Sequence, residues 1–350
     1  MKSVSKNLDI LEKFLVDQKI NFSKNFDLSK NSWLKAGGEF QTYIQPKSMN
    51  EIKILMDFLN NQNLKFLVIG NISNTIFRDG LIRTPIINLK RYDFMEKVFV
   101  ENQSIILRVS SGISIFKFSN ILSRDFGVSG AEGLVGIPGS IGGGIYMNAS
   151  SYESYLVEYL ESVDCIGLSG EIINLKKNDL EFKWRSSIFH YKKDLVILNA
   201  NFRIPLSKKR DKITIEKQID KIRSHRKNFQ EKKLPNLGSL FATKDLYDDI
   251  KYVNPIFFIL NFFNRLFTKI ILKFFTKNTL LNYRMLVVKI YTFFLGLNNF
   301  NGIKLSDRTI NCVVNSNTKS ANEIIKFIKK FHMNIKRKQK LENIILEKIE

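Results

Sequence analysis

The sequence predicts a globular protein of mixed helices and strands, folded as two or three domains. The chain has 350 residues, which is enough for more than one hydrophobic core. Hydrophobic residues make up 44% of it and charged residues 25%, a balance typical of a folded globular chain. Segments with helical periodicity alternate with short apolar runs bounded by turn residues, which indicates that helices and strands are interspersed.

Apolar spacing assigns each element in turn. In chain order, we predict a helix at 5–20, a strand at 40–44, a helix at 49–60, strands at 66–69, 85–89, 97–99 and 105–109, a helix at 113–122, strands at 157–166, 171–175 and 194–204, and helices at 213–230 and 320–331. The strands on either side of Gly167–Gly170 are expected to form a hairpin. A polar stretch at Ser207–Lys212 marks a domain boundary.

The most distinctive segment is the glycine-rich stretch Gly130–Asn148. Seven of the chain's 18 glycines fall between positions 130 and 144, so the clustering is unlikely to follow from composition alone. Glycine lets the backbone adopt positive φ and bring its N–H groups close to an anion. A second turn, Gly70–Asn74, directly follows a predicted buried strand. Both are candidate phosphate-binding segments, although an irregular loop between strands would have a similar composition.

Charge and cysteine content narrow the function classes. The net charge of +22 suits a polyanionic partner, but the lysines are spread along the chain without a nucleic-acid-binding motif, so we expect no nucleic acid partner. Cys165 and Cys312 lie far apart, and the three histidines have no metal-ligand spacing, which argues against a disulfide framework and a metal site. The first residues lack a signal-peptide pattern, and we expect a cytoplasmic protein.

Four separated segments carry motifs of one enzyme family. Gly136–Ala149 follows the pattern Gly-Ile-Pro-Gly-(Ser/Thr)-x-Gly-Gly-x-x-x-Met-Asn-Ala, and Trp184–Phe189 resembles Tyr-Arg-x-Ser-x-Phe with Trp in place of Tyr. Pro235–Phe241 matches Pro-x-x-Gly-Ser-x-Phe, and Asn311–Asn315 resembles Asn-Phe-x-x-Asn with Cys312 in place of Phe. In order and spacing the chain resembles the flavin-dependent UDP-N-acetylenolpyruvoylglucosamine reductases of bacterial cell-wall synthesis.

This resemblance implies an α+β protein with a vanillyl-alcohol-oxidase-type FAD-binding fold and a C-terminal α+β substrate domain. The implied FAD-binding subdomains are residues 1–80 and 81–210, and the implied substrate domain is 211–350. NADPH would reduce bound FAD, and FAD would pass a hydride to UDP-N-acetylglucosamine enolpyruvate to give UDP-N-acetylmuramate for peptidoglycan synthesis.

Carried over by position, the resemblance also implies site residues. Arg185 would stabilise the enolate that forms when hydride reaches the double bond, and Ser239 would donate the proton. These roles suit a planar cation in a dry site and a donor within hydrogen-bond reach. The implied FAD-binding residues are Gly70, Asn71, Ser73, Asn74, Gly130, Gly136, Ile137, Pro138, Gly139, Ser140 and Gly143.

Two departures from the family pattern affect these roles. The first flavin loop resembles Gly-Gly-Gly-Ser-Asn but has Ile72, and a β-branched residue resists positive φ. We therefore expect either strain or a shifted amide there, and FAD binding that is retained but weakened. The family's closing Leu-Glu-x-Glu reads Leu341-Glu-Asn-Ile344 here, so Glu342, or else Glu347, is the candidate for the missing acidic group; both could equally be solvated surface glutamates.

An insertion around residues 250–284 is the largest departure. Residues 256–275 are strongly apolar, but Asn and basic residues recur every three or four positions, which argues against a lipid-spanning helix. A cationic amphipathic helix could make peripheral contact with a membrane, or its apolar face could pack on protein, which we favour.

Two other functions remain open at this stage. The departures could mark a non-catalytic relative that acts as a binding or scaffold protein. The same fold could also serve a flavin oxidase with another substrate.

Overall fold

The computed structural model describes residues 2–101, 103–274, 276–335 and 340–346. The helices are α1 (Lys2–Asp17), α2 (Leu28–Asn31), α3 (Met49–Asn61), α4 (Ile115–Asn120), α5 (Ile141–Tyr146), α6 (Lys212–Phe229), α7 (Leu246–Ile250), α8 (Pro255–Phe274), α9 (Lys277–Phe294) and α10 (Ala321–Asn334). The strands are β1 (Phe22–Asp27), β2 (Glu39–Ile44), β3 (Leu67–Ile69), β4 (Thr75–Phe77), β5 (Leu81–Ile82), β6 (Ile86–Asn88), β7 (Met95–Glu101), β8 (Ser104–Ser110), β9 (Ser150–Ser151), β10 (Ser154–Tyr155), β11 (Leu160–Ile166), β12 (Ile172–Lys176), β13 (Val196–Pro205), β14 (Ile303–Ser306), β15 (Thr309–Asn315) and β16 (Ile344–Leu346). Helices and strands are interspersed, as the sequence predicts.

The first sheet has the order β1-β2-β6-β3, with β5 paired to the end of β2. The pairs that β2 makes with β5 and β6 are parallel, and β1 joins β2 antiparallel. Helices α1 and α3 bury their leucines, including Leu11 and Leu55, in one cluster with Ile44 and Ile87 of the sheet. Because β5 and β6 belong to this sheet, it continues past the expected subdomain boundary at residue 80.

The second sheet is antiparallel, in the order β12-β11-β13-β8-β7. Strands β11 and β12 form the predicted hairpin, whose turn is closed by a hydrogen bond from the Gly167 N–H to the Glu171 carbonyl at 3.0 Å. Helices α4 and α5 pack on one face of this sheet, where Phe118 and Ile145 are buried in the same cluster as Phe202. Helix α5 belongs to the C-terminal part of the glycine-rich stretch Gly130–Asn148, so its packing on the sheet holds that stretch in position.

The C-terminal part is built from the β14–β15 hairpin and helices α6 to α10. Its core is aromatic, with Tyr291, Phe327 and Phe331 fully buried. Strand β16 then leaves this part of the chain and pairs in parallel with β4, so that Ile344 lies beside Thr75. The end of the described chain is thereby placed next to the Gly70–Asn74 turn.

Candidate active site

One large cavity collects most of the predicted site residues. Its volume is about 1770 Å³. Small-molecule pockets usually range from roughly 300 to 1,000 Å³, so this cavity has room for more than one ligand of that size. Segments 70–74, 135–140 and 234–239 all contribute to its lining, together with Arg185 and Glu342.

The Gly70–Asn74 turn leaves β3 and is held firmly in place. The buried Asn88 side chain donates to the carbonyls of Ile69 at 3.2 Å and Gly70 at 2.7 Å. Asn71 Nδ2 donates to the Pro138 carbonyl at 3.4 Å, which ties this turn to the glycine-rich stretch. A Cβ on Gly70 would lie 2.8 Å from Ser140 Oγ, so the Ser140 side chain would have to move if Gly70 carried one.

Ile72 sits in the middle of this turn with a left-handed backbone, at φ +51°. Its side chain is only 6% exposed and packs in a cluster with Phe40 and Phe77. The sequence left open strain or a shifted amide, and the structure has the strained alternative. The buried side chain explains why the conformation is tolerated, because apolar burial offsets a left-handed conformation that costs roughly 1–2 kcal/mol.

The Gly136–Gly144 part of the glycine-rich stretch lines the cavity beside this turn. Gly136 has φ +101°, which favours glycine. Ser140 caps α5, and its Oγ accepts a hydrogen bond from the Gly143 N–H at 3.3 Å. Together with the 70–74 turn, this part of the stretch forms a cradle of glycine, serine and asparagine groups that suits a pyrophosphate.

Gly130 is the one predicted cofactor residue that lies outside this cradle. It does not line the cavity, and its N–H donates to the Glu132 carboxylate at 2.7 Å. A Cβ there would meet the Tyr159 hydroxyl at 3.0 Å. Gly130 therefore serves the packing of its own turn.

Arg185 and Glu342 form an ion pair on the cavity wall. Arg185 Nε lies 2.9 Å from Glu342 Oε1, and the two side chains are only 15% and 18% exposed. The terminal nitrogens of Arg185 donate to the hydroxyl and the carbonyl of Ser150, both at 3.2 Å. Burial raises the pKa of the Glu342 carboxyl, and the guanidinium opposes part of that rise. The pair combines a fixed cation with a carboxyl group that holds its proton more tightly than usual.

Glu342 lines the cavity from the segment just before β16. Asn74 Nδ2 donates to the Glu342 carbonyl at 2.9 Å, and Asn343 Nδ2 donates to Asn74 Oδ1 at 2.6 Å. Ile344, which occupies the position of the family's second glutamate, also lines the cavity but has no ionisable group. Glu347 lies outside the described residues.

Ser239 is an exposed residue on the same cavity, carried by a loop that Asn311 holds. Asn311 Oδ1 accepts from the Phe241 N–H at 2.8 Å, and its Nδ2 donates to the Phe241 carbonyl at 3.0 Å. The Leu240 N–H also donates to the Asn311 carbonyl at 2.9 Å. The first asparagine of the fourth motif thus fixes the backbone beside Ser239.

Ser150 and Arg226 are among the polar cavity residues that sequence reasoning missed. Arg226 is 8% exposed and donates to the Gly133 carbonyl at 2.8 Å and to Ser151 Oγ at 2.9 Å. It extends the buried face of α6 that begins with Ile215, Ile219 and Ile222. An arginine in register with an apolar stripe was the available signal, whereas no local pattern indicated Ser150.

Comparisons with known proteins bear on the identity of this site. A protein-family model described as an FAD binding domain matches residues 40–176. The UDP-N-acetylenolpyruvoylglucosamine reductase of Listeria innocua is 33% identical over 217 residues, which is 62% of this chain and 70% of the relative. The enzyme of that name from Clostridium novyi is 31% identical over 231 residues, 66% of this chain and 72% of the relative.

The chain belongs to the UDP-N-acetylenolpyruvoylglucosamine reductase family. It is therefore an FAD-dependent oxidoreductase, and the α+β fold of the vanillyl-alcohol-oxidase type is confirmed. The crystal structure of UDP-N-acetylenolpyruvylglucosamine reductase from Thermus caldophilus aligns with a TM-score of 0.63 at 18% identity, covering 93% of this chain and 98% of that one.

The residues present fit the cofactor of this reductase family. A Cβ on Gly70 would fill the gap between the two flavin segments, and the cavity exceeds the space that a substrate alone needs. Segments 70–74 and 136–140 would hold the FAD pyrophosphate through backbone N–H groups and the Ser140 cap. Arg185, Glu342 and Ser239 line the same cavity as these two segments.

Proposed function

We propose that this protein reduces the enolpyruvyl ether of UDP-N-acetylglucosamine to the lactyl ether, with NADPH as the reductant, in the cytoplasmic synthesis of peptidoglycan precursors. Residues up to about 210 would hold FAD, and residues 211–350 would hold the sugar nucleotide. Support for the cytoplasm comes from Cys165 and Cys312, which are both buried free thiols.

One observation carries the proposal. Arg185, Ser239 and Glu342 come from distant parts of the chain, yet they line one cavity together with both flavin segments. A chance match of short motifs would not bring these three side chain types to one place. The names of the relatives supply the substrate class, and the cavity supplies the groups that its reduction needs.

The reaction adds a hydride to the terminal carbon of the double bond and a proton to the carbon that bears the carboxylate. FAD, when bound, supplies the hydride from its reduced ring. Arg185 stabilises the negative charge that develops on the enolate. Its guanidinium is effective because the hydrogen bonds to Ser150 already hold it in place before that charge forms. Ser239 donates the proton from its hydroxyl group.

Glu342 supports both steps. Its contact with Arg185 Nε orients the guanidinium. Both side chains are largely shielded from solvent, so the positive charge of Arg185 acts with little screening by water. The Glu342 carboxyl group lines the same cavity as Ser239 and would relay a proton to the serine oxygen after that oxygen has given up its own.

The test separates the two half-reactions in the purified protein by anaerobic stopped-flow absorbance. In Ser239→Ala we expect NADPH to bleach the flavin at the wild-type rate, and we expect reoxidation by the enolpyruvyl nucleotide to slow by about 10²–10⁴-fold. An unchanged second half-reaction would remove Ser239 from the mechanism. If NADPH reduces the wild-type flavin but the enolpyruvyl nucleotide does not reoxidise it, this nucleotide is not the substrate.

A further inference from the structure

Helices α8 and α9 form a hairpin whose apolar face is turned toward solvent. Phe258, Phe262 and Phe274 are 54%, 61% and 68% exposed. Further exposed apolar side chains on the hairpin are Ile259, Phe263, Leu266, Phe267, Ile270, Leu286, Phe293 and Phe294. We call these eleven side chains the outer face. The expected packing of this apolar face on protein is not made within the described chain, although Phe257 and Ile271 are buried.

The polar side of α8 points the other way, toward the cavity. Asn261 Nδ2 donates to Asp248 Oδ1 at 3.0 Å, and Arg265 pairs with Asp245 and Asp248 of the neighbouring segment. Asn264 and Lys269 line the cavity. A helix on a soluble domain normally buries its apolar stripe, whereas α8 exposes most of its apolar side chains and buries Asn261. A contiguous exposed apolar surface of this kind marks a site of interaction with protein or membrane.

The positive charge of the hairpin indicates which kind of surface the outer face contacts. Residues 250–306 contain no Asp or Glu but include eight basic residues: Lys251, Arg265, Lys269, Lys273, Lys277, Arg284, Lys289 and Lys304. Three of these, Lys251, Arg265 and Lys304, pair with aspartates just outside this range. Lys273 and Lys289 are exposed on the hairpin itself. Cores of protein interfaces are depleted in lysine, whereas helices that lie in a membrane surface combine lysine with Phe and Leu.

Among the described residues, no helix is both long and apolar enough to cross a bilayer. We propose that the α8–α9 hairpin docks in the surface of an anionic lipid bilayer, with the outer face among the acyl chains and the lysines against the headgroups. A cation-rich apolar face of this kind binds through buried area and electrostatic attraction together. The proposal does not depend on the reductase activity, because binding is measured directly.

Flotation of the full-length, flavin-loaded protein with vesicles provides the test. We expect most of the protein to float with vesicles of phosphatidylglycerol and phosphatidylcholine, and little to float with phosphatidylcholine alone. Raising the NaCl concentration should reduce binding, because screening weakens the headgroup contacts. Lys273→Gln with Lys289→Gln should lower the preference for anionic vesicles several-fold.

A matched pair of variants tests the outer face. Phe258→Ser, Phe262→Ser and Phe274→Ser together should lower the partition coefficient by about tenfold or more. Ile172→Ser with Ile213→Ser removes apolar side chains of similar exposure, 46% and 67%, from β12 and α6, and should change it by less than about twofold. The flavin spectrum and far-UV circular dichroism confirm that each variant folds.

Three results would overturn the proposal. The first is wild-type protein that stays unbound with both kinds of vesicle. The second is equal binding by the triple serine variant. The third is an oligomer that the triple variant converts to a monomer while neither protein binds lipid, which would make the outer face a protein interface.

Discussion

The left-handed Ile72 in the first flavin loop offers a direct test of the backbone conformation. Replacing its side chain with Ala or Gly removes the same kind of burial, at a cost of about 2–5 kcal/mol for the change to Ala. The two variants then differ through the backbone. At φ +51° Ala retains a strain of roughly 1–2 kcal/mol that Gly avoids, whereas Gly loses about 0.5–1 kcal/mol through the flexibility of the unfolded chain. Ile72→Gly should therefore be more stable than Ile72→Ala by about 0.5–1 kcal/mol.

Ile76, four residues further on, is the matched control. It is 2% exposed and lies in β4 with ordinary strand geometry. There Gly should be less stable than Ala by about 0.5–1 kcal/mol, because no strain is relieved. Urea unfolding of the four variants measures the reversal of sign. If Gly is the less stable residue at both positions, Ile72 does not have a left-handed backbone in the folded protein, and the expected cost to FAD binding has no structural basis.

The remaining predictions concern the cavity wall. The pKa of Glu342 is raised above its ordinary value of 4.5, so the folded chain keeps this proton to higher pH than the unfolded chain. Wild-type stability should fall as pH rises from 4.5 through the folded pKa, and urea unfolding of Glu342→Gln should lack that fall; identical pH profiles would contradict the assignment. Arg185→Lys should slow reoxidation by the enolpyruvyl nucleotide by about 10²–10³-fold and leave reduction by NADPH intact, because the planar fork is lost. Full activity would make Arg185 structural. Asn311→Ala should lower the free energy of unfolding by about 1–3 kcal/mol, since the Phe241 N–H loses its partner and the Phe241 carbonyl keeps the Thr243 N–H; a loss below about 0.5 kcal/mol would refute this role.

The local pattern predicted elements whose apolar spacing matches their burial. Helix α3 spans Met49–Asn61, one residue longer than predicted. The prediction was close because Ser48 caps the start of the helix and Ile52, Leu55 and Leu59 form its buried face. Helix α5 was missed because its residues Ile141–Tyr146 include three consecutive glycines, each of which costs a helix about 1 kcal/mol. The helix is stabilised by close packing: a Cβ on Gly144 would lie 2.4 Å from Leu156 and 2.8 Å from Ile115. The glycines that weaken the helix therefore allow it to pack tightly against these side chains.

A site residue could be predicted from the sequence where it belongs to a short, recognisable motif. The motifs around Arg185 and Ser239 are of this kind. The residues that hold these motifs in place could not be predicted, because they are distant in sequence. Ser150 lies 35 positions from Arg185, and Asn311 lies 70 positions from Phe241, which is in the Ser239 motif. Glu342 was selected from two glutamates by letter pattern alone, and its place on the cavity follows from the pairing of β16 with β4.

Helix α8 shows which information a periodic pattern lacks. The spacing of Asn261, Arg265 and Lys269 predicts one polar stripe and one apolar face, but it does not say which of them meets protein. That choice is made by Asp245 and Asp248, which attract Asn261 and Arg265 to the cavity side. Neutralising both aspartates should free α8 to rotate its apolar face toward the C-terminal core, and vesicle binding should fall even though the outer face keeps every phenylalanine. Asp245→Asn with Asp248→Asn in the flotation assay measures this, and undiminished binding would show that the pairs with Asn261 and Arg265 do not set the orientation of the helix.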